Sequence, residues 1–447
     1  PHDMKAATNE KAIEQLAPPA VVVIPMSMHF GAPCTPLVKA GDHVKVGQKI
    51  GEFHGLGAPI HASVSGTVKA VEPRPYSMGG NITSVVIEND MQDEVSEELQ
   101  APADPNALSV EEMVEIVKNA GIVGMGGATF PTHVKITSGI GKVNTVIING
   151  AECEPYITGD HRTMLERPEE IIGGAKFLAK MFGVDKVVIG VEDNKRNGID
   201  AMNKVIAEQK APVVVEPLRC RYPQGGEKQL CQAITGRQVP PGGLPADIGC
   251  AVFNINTTCA IYRALTTGMP VVRKIVTVSG SGVVEPKNLE CPIGTPVSSL
   301  LDACGGLKDG TYKLIAGGPM MGMAQYTADI SVAKGTGAIL AFCENEEKTV
   351  ENPQCIRCGK CVSVCPMHLE PLFMYQYASK GMVEELNDAH IMDCMECGAC
   401  SYICPARMHL THMFKTGKQL VKDKAAADRA AAEAKKKAEE AKEAAAK

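Results

Sequence analysis

The feature that most restricts this chain is a pair of cysteine runs near its C-terminal end. Cys355, Cys358, Cys361 and Cys365, followed by Pro366, keep the spacing C-x2-C-x2-C-x3-C-P, and Cys394, Cys397, Cys400 and Cys404, followed by Pro405, repeat it. Cysteine thiolates at this spacing hold paired 4Fe-4S clusters. Three cysteines at intervals of three wrap one face of a cubane, and the fourth is carried on to the neighbouring cluster. One cluster is therefore expected on Cys355, Cys358, Cys361 and Cys404, and the other on Cys365, Cys394, Cys397 and Cys400. Structural zinc and unligated buried thiols are the alternatives. Zinc commonly takes C-x2-C pairs from two separate hairpins and has no use for an exchanged fourth ligand. Gly359 and Gly398 let the backbone turn close to the sulfurs, and the proline after each run suits the start of a helix.

The rest of the chain bounds where such clusters can sit. With 447 residues it is too long for one core, and a prior of roughly 150 residues each suggests about three domains. A formal charge of -6 with no concentrated basic face gives no reason to expect nucleic acid. The first twenty residues lack a basic-then-apolar leader, and no apolar run approaches the ~20 residues a spanning helix needs. Neither secretion nor a membrane span is expected. Seventeen cysteines without an export signal argue for a reducing compartment. The nine outside the two runs, such as Cys34, Cys220 and Cys343, show no ligand pattern and are expected mostly as small buried hydrophobes.

Along the chain, Gly31 to Val71 is dense in Gly, Val and Pro and reads as short strands of a small β unit. Its segments "LVKAGDHVKVGQKIGEF" and "APIHASVSGTV" resemble the half-barrel of biotinyl and lipoyl carrier domains, with the lysine-bearing hairpin shrunk to "HGLG". After a polar, acidic stretch, Ser109 and Glu112 form a capping box that opens a helix to about Asn119. Apolar runs at Val143 to Ile148, Val187 to Val191 and Val213 to Val215 alternate with helical stretches at Pro168 to Phe182 and Gly198 to Gln209. That alternation implies a covered, largely parallel sheet. From about Val271 to Phe342 short β runs return around one helical stretch, as in a small α+β domain. Lys422 to Lys447, almost all Ala, Lys, Glu and Asp, reads as a solvated single helix or a frayed tail.

Two loops in the α/β region are candidates for ligand binding. "GIVGMGGATFPTHVK" places Gly121, Gly124, Gly126 and Gly127 ahead of Phe130, Pro131 and Lys135. Its exposed amides can hold a phosphate or lie against a ring, and a tight turn between helix and strand is an equal reading of this stretch alone. "NGAECEP" puts Asn149, Glu152 and Glu154 at the carboxyl end of a strand, where open α/β sheets bind ligands. "YPQGGEKQL" then brings a second Gly pair and Glu227 to a helix start.

With these motifs the chain resembles, over nearly its whole length, the C subunit of the Rnf electron-transport complex, a ferredoxin:NAD oxidoreductase of bacterial membranes. Its α/β core is similar to the FMN- and NADH-binding subunit of respiratory complex I. The flavin loop G-R-G-G-A-G-F-P of that family stands here as Gly124 to Pro131, and N-A-D-E-S-E-P as Asn149 to Pro155. Y-x-x-G-E-E-T appears as Tyr222 to Lys228, and Asn254 matches a flavin-contacting asparagine. Met125, Ala151 and Gly226 depart from the pattern.

The resemblance implies noncovalent FMN on Gly124, Gly126, Gly127, Lys135 and Asn149, with Phe130 and Glu154 toward the nicotinamide nucleotide. Glu152, Tyr222, Gly225, Glu227 and Asn254 complete the implied cofactor-binding set, and no side chain acts as acid or base. It further implies NAD(H) as substrate and a peripheral place on the cytoplasmic face of the bacterial cell membrane. The implied partners are other Rnf subunits, among them integral membrane subunits and a ferredoxin-accepting iron-sulfur subunit. The fold class expected is multidomain α/β and α+β. Residues 1–104 form a barrel-sandwich-hybrid-like β unit, 105–268 a Rossmann-like FMN/NADH domain and 269–345 a β-grasp, soluble ligand-binding domain. Residues 346–415 form a helical two-cluster ferredoxin-like domain, and 416–447 a charged Ala-rich helix or tail. The rival functional reading is a cluster-bearing wiring or docking subunit without nucleotide chemistry.

Overall fold

The computed structural model describes residues 1–344 and 350–445; the expected boundary at 345/346 and the last two residues lie outside them. The chain forms two compact units, Pro1–Glu347 and Lys348–Lys447.

Within the first unit, the named strands of the β region pair antiparallel. A sheet of Val21–Pro25, Asn81–Asn89, Gly66–Pro75 and His43–Val44, in that order, shares its apolar core with a smaller one of Thr35–Pro36, Lys49–Glu52 and Ile60–His61. Alternate residues such as Val22 and Ile24 point inward, fully buried, as a half-covered strand requires. The capping box at Ser109 and Glu112 is present and the helix it opens runs over Val110–Asn119.

The α/β region holds a four-stranded, all-parallel sheet in the order Val213–Leu218, Val187–Glu192, Thr145–Gly150, Cys250–Asn254. The chain winds outward over three strands and then returns to the other side of the first. Thr145–Gly150 and Cys250–Asn254 therefore flank a topological switch point, where such sheets open a crevice at their carboxyl ends. Val146, Ile147 and Ile148 are fully buried because helices such as Pro168–Phe182 cover the sheet.

The third region carries a six-stranded mixed sheet in which Lys287–Pro292, Arg273–Ser279, Ala338–Cys343, Thr311–Ala316 and Met323–Gln325 follow one another. Ile13–Gln15 forms the edge opposite Met323–Gln325, parallel to Lys287–Pro292. The first residues of the chain thus serve this sheet and not the β unit they precede. Buried residues of the β and α/β regions join in one continuous apolar core, to which Ile293 and Ala333 of the third region contribute.

The second unit is helical. Short helices Lys360–Ser363, Pro371–Ser379, Val383–Asp388 and Ala399–Ile403 pack with the first turns of Leu410–Ala445 around Met374, Leu386, Ile391 and Phe414. Beyond that core the long helix is solvated, and its side chains from Lys422 to Lys437 are exposed. Ala, Lys and Glu sustain it by propensity.

Candidate functional site

The two cysteine loops have the same backbone. Arg357 and Glu396, each two residues past the first cysteine, have φ of 53° and 56°, and Gly359 and Gly398 have 73° and 76°. The Arg357 amide donates to Cys355 Sγ at 3.3 Å and the Glu396 amide to Cys394 Sγ at 3.4 Å. N–H donors of this kind tune iron-sulfur clusters. Leu369 N–H donates likewise to Cys365 Sγ at 3.4 Å.

Cys365, Cys394, Cys397 and Cys400 line one cavity, otherwise walled largely by apolar groups that include Met367, Leu369 and Phe414. Burial pushes the Cys394 thiol up to about 11 and the Cys400 thiol up to about 12, as a dry pocket does to any thiol left without a metal. Among the described residues no three His, Cys, Asp or Glu side chains converge as a lone ion needs; these four line a space instead. The residues fit a cluster. Burial raises the Cys361 thiol, and Cys355 and Cys404 act on it in the same sense. The loops differ in exposure: Cys355 and Cys358 are exposed, Cys397 and Cys400 buried. One detail departs from expectation. Pro366 and Pro405 lie in turns and not at helix starts, because His368 and Arg407 follow with φ of 55° and 57° and break the helical path. Of the nine other cysteines, Cys34, Cys231, Cys250, Cys259, Cys291 and Cys304 are buried as expected, whereas Cys220 is exposed.

In the first unit the glycine loop lies at the switch point. Gly124 N–H donates to Phe130 O at 2.9 Å and Thr129 N–H to Gly124 O at 3.1 Å, which closes the loop on itself. Gly126 sits against Asn254, where a Cβ would stand 3.2 Å from that side chain. Gly127 has φ of +140° with open space before it, and residues 126–128 are exposed. Asn254 and Asn149 are register partners on the two strands that flank the crevice. Asn149 Nδ2 donates to Gly225 O at 2.9 Å, and Gly225 in turn approaches Ala151 O so closely that a Cβ would lie 2.3 Å away.

Lys135, on the helix Thr132–Gly139 that follows the loop, donates to Glu227 Oε1 and to Val252 O, both at 2.9 Å. Glu227 opens the helix Glu227–Thr235, which has no side-chain cap. A cation, uncapped helix starts and an open glycine face fit a planar, phosphate-bearing ligand such as FMN.

The acidic loop divides. Glu154 accepts from Tyr222 Oη at 3.1 Å and from Met320 N–H at 3.2 Å, and burial raises its pKa. Glu152 turns inward instead. Its Oε1 receives Asp160 N–H at 2.7 Å and its Oε2 receives His161 N–H at 3.4 Å, while Lys5 Nζ stands 3.6 Å from Oε2. Burial pushes this carboxyl up to about 7. Glu152 thus holds the start of the helix Gly159–Glu166.

Several contributors carry no sequence signal. Asp160 accepts from Asn254 Nδ2 at 2.8 Å and Asn256 Nδ2 at 2.5 Å, and Lys274 donates to Met125 O at 3.2 Å. Lys334, wholly buried, donates to Pro59 O and Gly121 O, each at 2.7 Å. Single lysines in apolar strands or turns form no motif, and their partners lie more than a hundred residues away.

Comparison with known proteins matches four family models along the chain. These are the RnfC barrel sandwich hybrid domain over residues 1–92, the Nuo51 FMN-binding domain over 117–263, the SLBB domain over 275–324 and the 4Fe-4S dicluster domain over 347–405. The chain is 46% identical over 84% of its length, and 85% of the relative's, to the C subunit of the Na(+)-translocating ferredoxin:NAD(+) oxidoreductase complex of Acetobacterium woodii. It is 43% identical to the proton-translocating counterpart of Clostridium ljungdahlii over 87% of this chain and 85% of that one. Among solved structures, an NAD+-reducing [NiFe]-hydrogenase in the H2-reduced state aligns with a TM-score of 0.50 at 20% identity, covering 71% of this chain and 64% of that one, a likeness of fold. With such identity over most of its length, the chain belongs to the RnfC family, the C subunits of ion-translocating ferredoxin:NAD(+) oxidoreductase complexes.

Proposed function

We propose that this chain is an oxidoreductase subunit that moves electrons between NAD(H) and two 4Fe-4S clusters by way of noncovalent FMN, within a ferredoxin:NAD(+) oxidoreductase complex coupled to ion translocation. The observation that carries this reading is the glycine loop seated at the switch point between Asn149 and Asn254, in a chain whose other unit lines a cavity with four cysteines. FMN, when bound, interconverts hydride and single-electron chemistry. The chain's own residues bind and orient. Gly126 and Gly127 offer a flat face, Lys135 and the start of the helix at Glu227 favour phosphate, and Asn149 and Asn254 fix the crevice walls. Phe130 and Glu154 are assigned to the nicotinamide nucleotide, and Glu152 holds the start of the helix Gly159–Glu166. The crossed cysteine sets carry the two clusters. The α/β region is Rossmann-like and the third region a β-grasp.

The chain sits at the cytoplasmic face of the membrane through partner subunits, among them integral membrane subunits and a ferredoxin-accepting iron-sulfur subunit. No described helix is long and apolar enough to cross a membrane. Full-length protein purified anaerobically, with iron and flavin quantified and NADH oxidation followed with an artificial acceptor, tests the reading. Bound FMN with NADH oxidation is expected; protein without FMN, or with FMN yet inert toward NADH, overturns it.

One observation favours the rival reading of a wiring subunit. Glu154 is already engaged by Tyr222 Oη and the Met320 amide, and Gly318 packs against its carboxylate. NADH oxidation that does not respond to Glu154→Gln or Phe130→Ala supports that rival.

A further inference from the structure

The glycine loop from Gly121 to Pro131 contains no charged residue. Its shape is nonetheless set by charge from outside the α/β region. At its centre, the Met125 peptide is held on both sides: its N–H donates to Thr257 Oγ1 at 2.9 Å and its carbonyl accepts from Lys274 Nζ at 3.2 Å. Lys274 belongs to the strand Arg273–Ser279 of the six-stranded mixed sheet and is 4% exposed. Burying an ammonium among apolar strands is costly unless it is hydrogen-bonded and paired.

Its neighbour in charge is Asp160. Burial raises this carboxyl, and of the surrounding charges Lys274 acts on it most strongly in the opposite sense. Asp160 holds the side-chain amides of Asn254 and Asn256, and the Asn254 amide packs on Gly126. Lys274 therefore touches the loop directly at Met125 O, while Asp160 reaches Gly126 through Asn254. The next residue along the loop from Met125 is Gly126, the start of its exposed face.

We propose that Lys274 is a positioning residue of the flavin site, which fixes the Met125 peptide and so the presentation of Gly126 and Gly127, and which sets a positive charge behind the loop that favours reduced over oxidised flavin. This rests on the FMN reading above. Two electrons taken up from NADH with fewer than two protons leave negative charge on the ring system, and a cation in a dry site stabilises that charge more than it would in water. Asp160, on the Asn254 side, works in the opposite sense.

The test uses the full chain and its Lys274→Gln, Lys274→Met and Asp160→Asn variants, dialysed anaerobically to equilibrium against FMN and against dithionite-reduced FMN. Hydrogen exchange of the Met125 to Phe130 amides is followed in flavin-free protein. Glutamine keeps a donor for Met125 O and removes the charge. Lys274→Gln is expected to cut the preference for reduced over oxidised FMN about tenfold, which is ~30 mV for a two-electron couple. Lys274→Met adds a roughly tenfold rise in loop exchange and weaker binding of both forms. Asp160→Asn shifts the preference the other way. An unchanged preference in Lys274→Gln, or loop exchange in Lys274→Met equal to wild type, overturns the proposal. Should Lys274→Met fail to fold, Lys274→Gln and Asp160→Asn decide it. Wild-type protein that binds no FMN sinks the functional reading instead, and the exchange measurement then decides the positioning role by itself.

Discussion

Gly318 and Glu154 pack so tightly that a Cβ on the glycine would stand 2.0 Å from the Glu154 Oε2. The SLBB region therefore reaches the acidic loop of the α/β region by direct contact, and Gly318→Ala must push the carboxylate off Tyr222 and the Met320 amide. Hydrogen bonds to charged groups are worth ~1.5–3 kcal/mol each. A rise in KM for NADH of roughly tenfold or more, with FMN content unchanged, is the expected result. Steady-state kinetics checks it.

Lys135→Met removes a cation held between Glu227 and Val252 O while keeping the length of its stem. On the proposed reading, in which Lys135 holds the FMN phosphate, the substitution is expected to weaken FMN binding by about ten- to a hundredfold. Fluorescence titration of flavin-free protein reads the change, and unaltered affinity would remove Lys135 from the site.

Glu152 gives stability a pH dependence with a definite sign. Burial raises its carboxyl from 4.5 to about 7, so between those values the folded state keeps a proton that the unfolded state has lost. The contribution is fully present below pH 4.5, falls as pH rises toward 7 and is gone above it. Glu152→Gln retains the acceptor for Asp160 N–H without the titration. Relative to wild type, its stability is expected to gain by up to roughly 3 kcal/mol from pH 4.5 to pH 7. Lys274 and Lys334, lowered by burial to about 8 and about 7, lose their protons mainly above this window. Denaturant melts at stepped pH compare the two proteins, and a constant difference would count against the assignment.

Exchange of the fourth cysteines is open to a direct test. Cys365→Ser is expected to empty the site of Cys394, Cys397 and Cys400 while sparing that of Cys355, Cys358 and Cys361, leaving roughly half the iron. EPR of the reduced protein distinguishes this from loss of the cluster on the first loop, which an uncrossed arrangement requires.

Exposure predicts an order of decay. Because Cys355 and Cys358 are exposed whereas Cys397 and Cys400 are buried, air is expected to destroy the first-loop cluster sooner. Iron release followed on Cys365→Ser and Cys404→Ser proteins would rank the two rates.

Much of this protein was written locally. The cysteine spacing, the Ser109 and Glu112 capping box and the alternation of strand and helix from Val143 to Gln209 depend on near neighbours and backbone preference, so they could be read without a partner in view. The position of the glycine loop before a helix and of the acidic loop after a strand was legible for the same reason. Tertiary packing alone decided which polar groups face inward. Glu152 and Glu154 are two residues apart, yet one caps a buried helix beside Lys5 and the other meets Gly318, because their partners lie 147 and 164 positions away. Ile13–Gln15 joined a sheet built some 275 residues later, and Lys274 and Lys334 found carbonyls on the glycine loop. A buried lysine or carboxylate takes the partner that the apolar core brings to it, and no spacing along the chain records which one that will be.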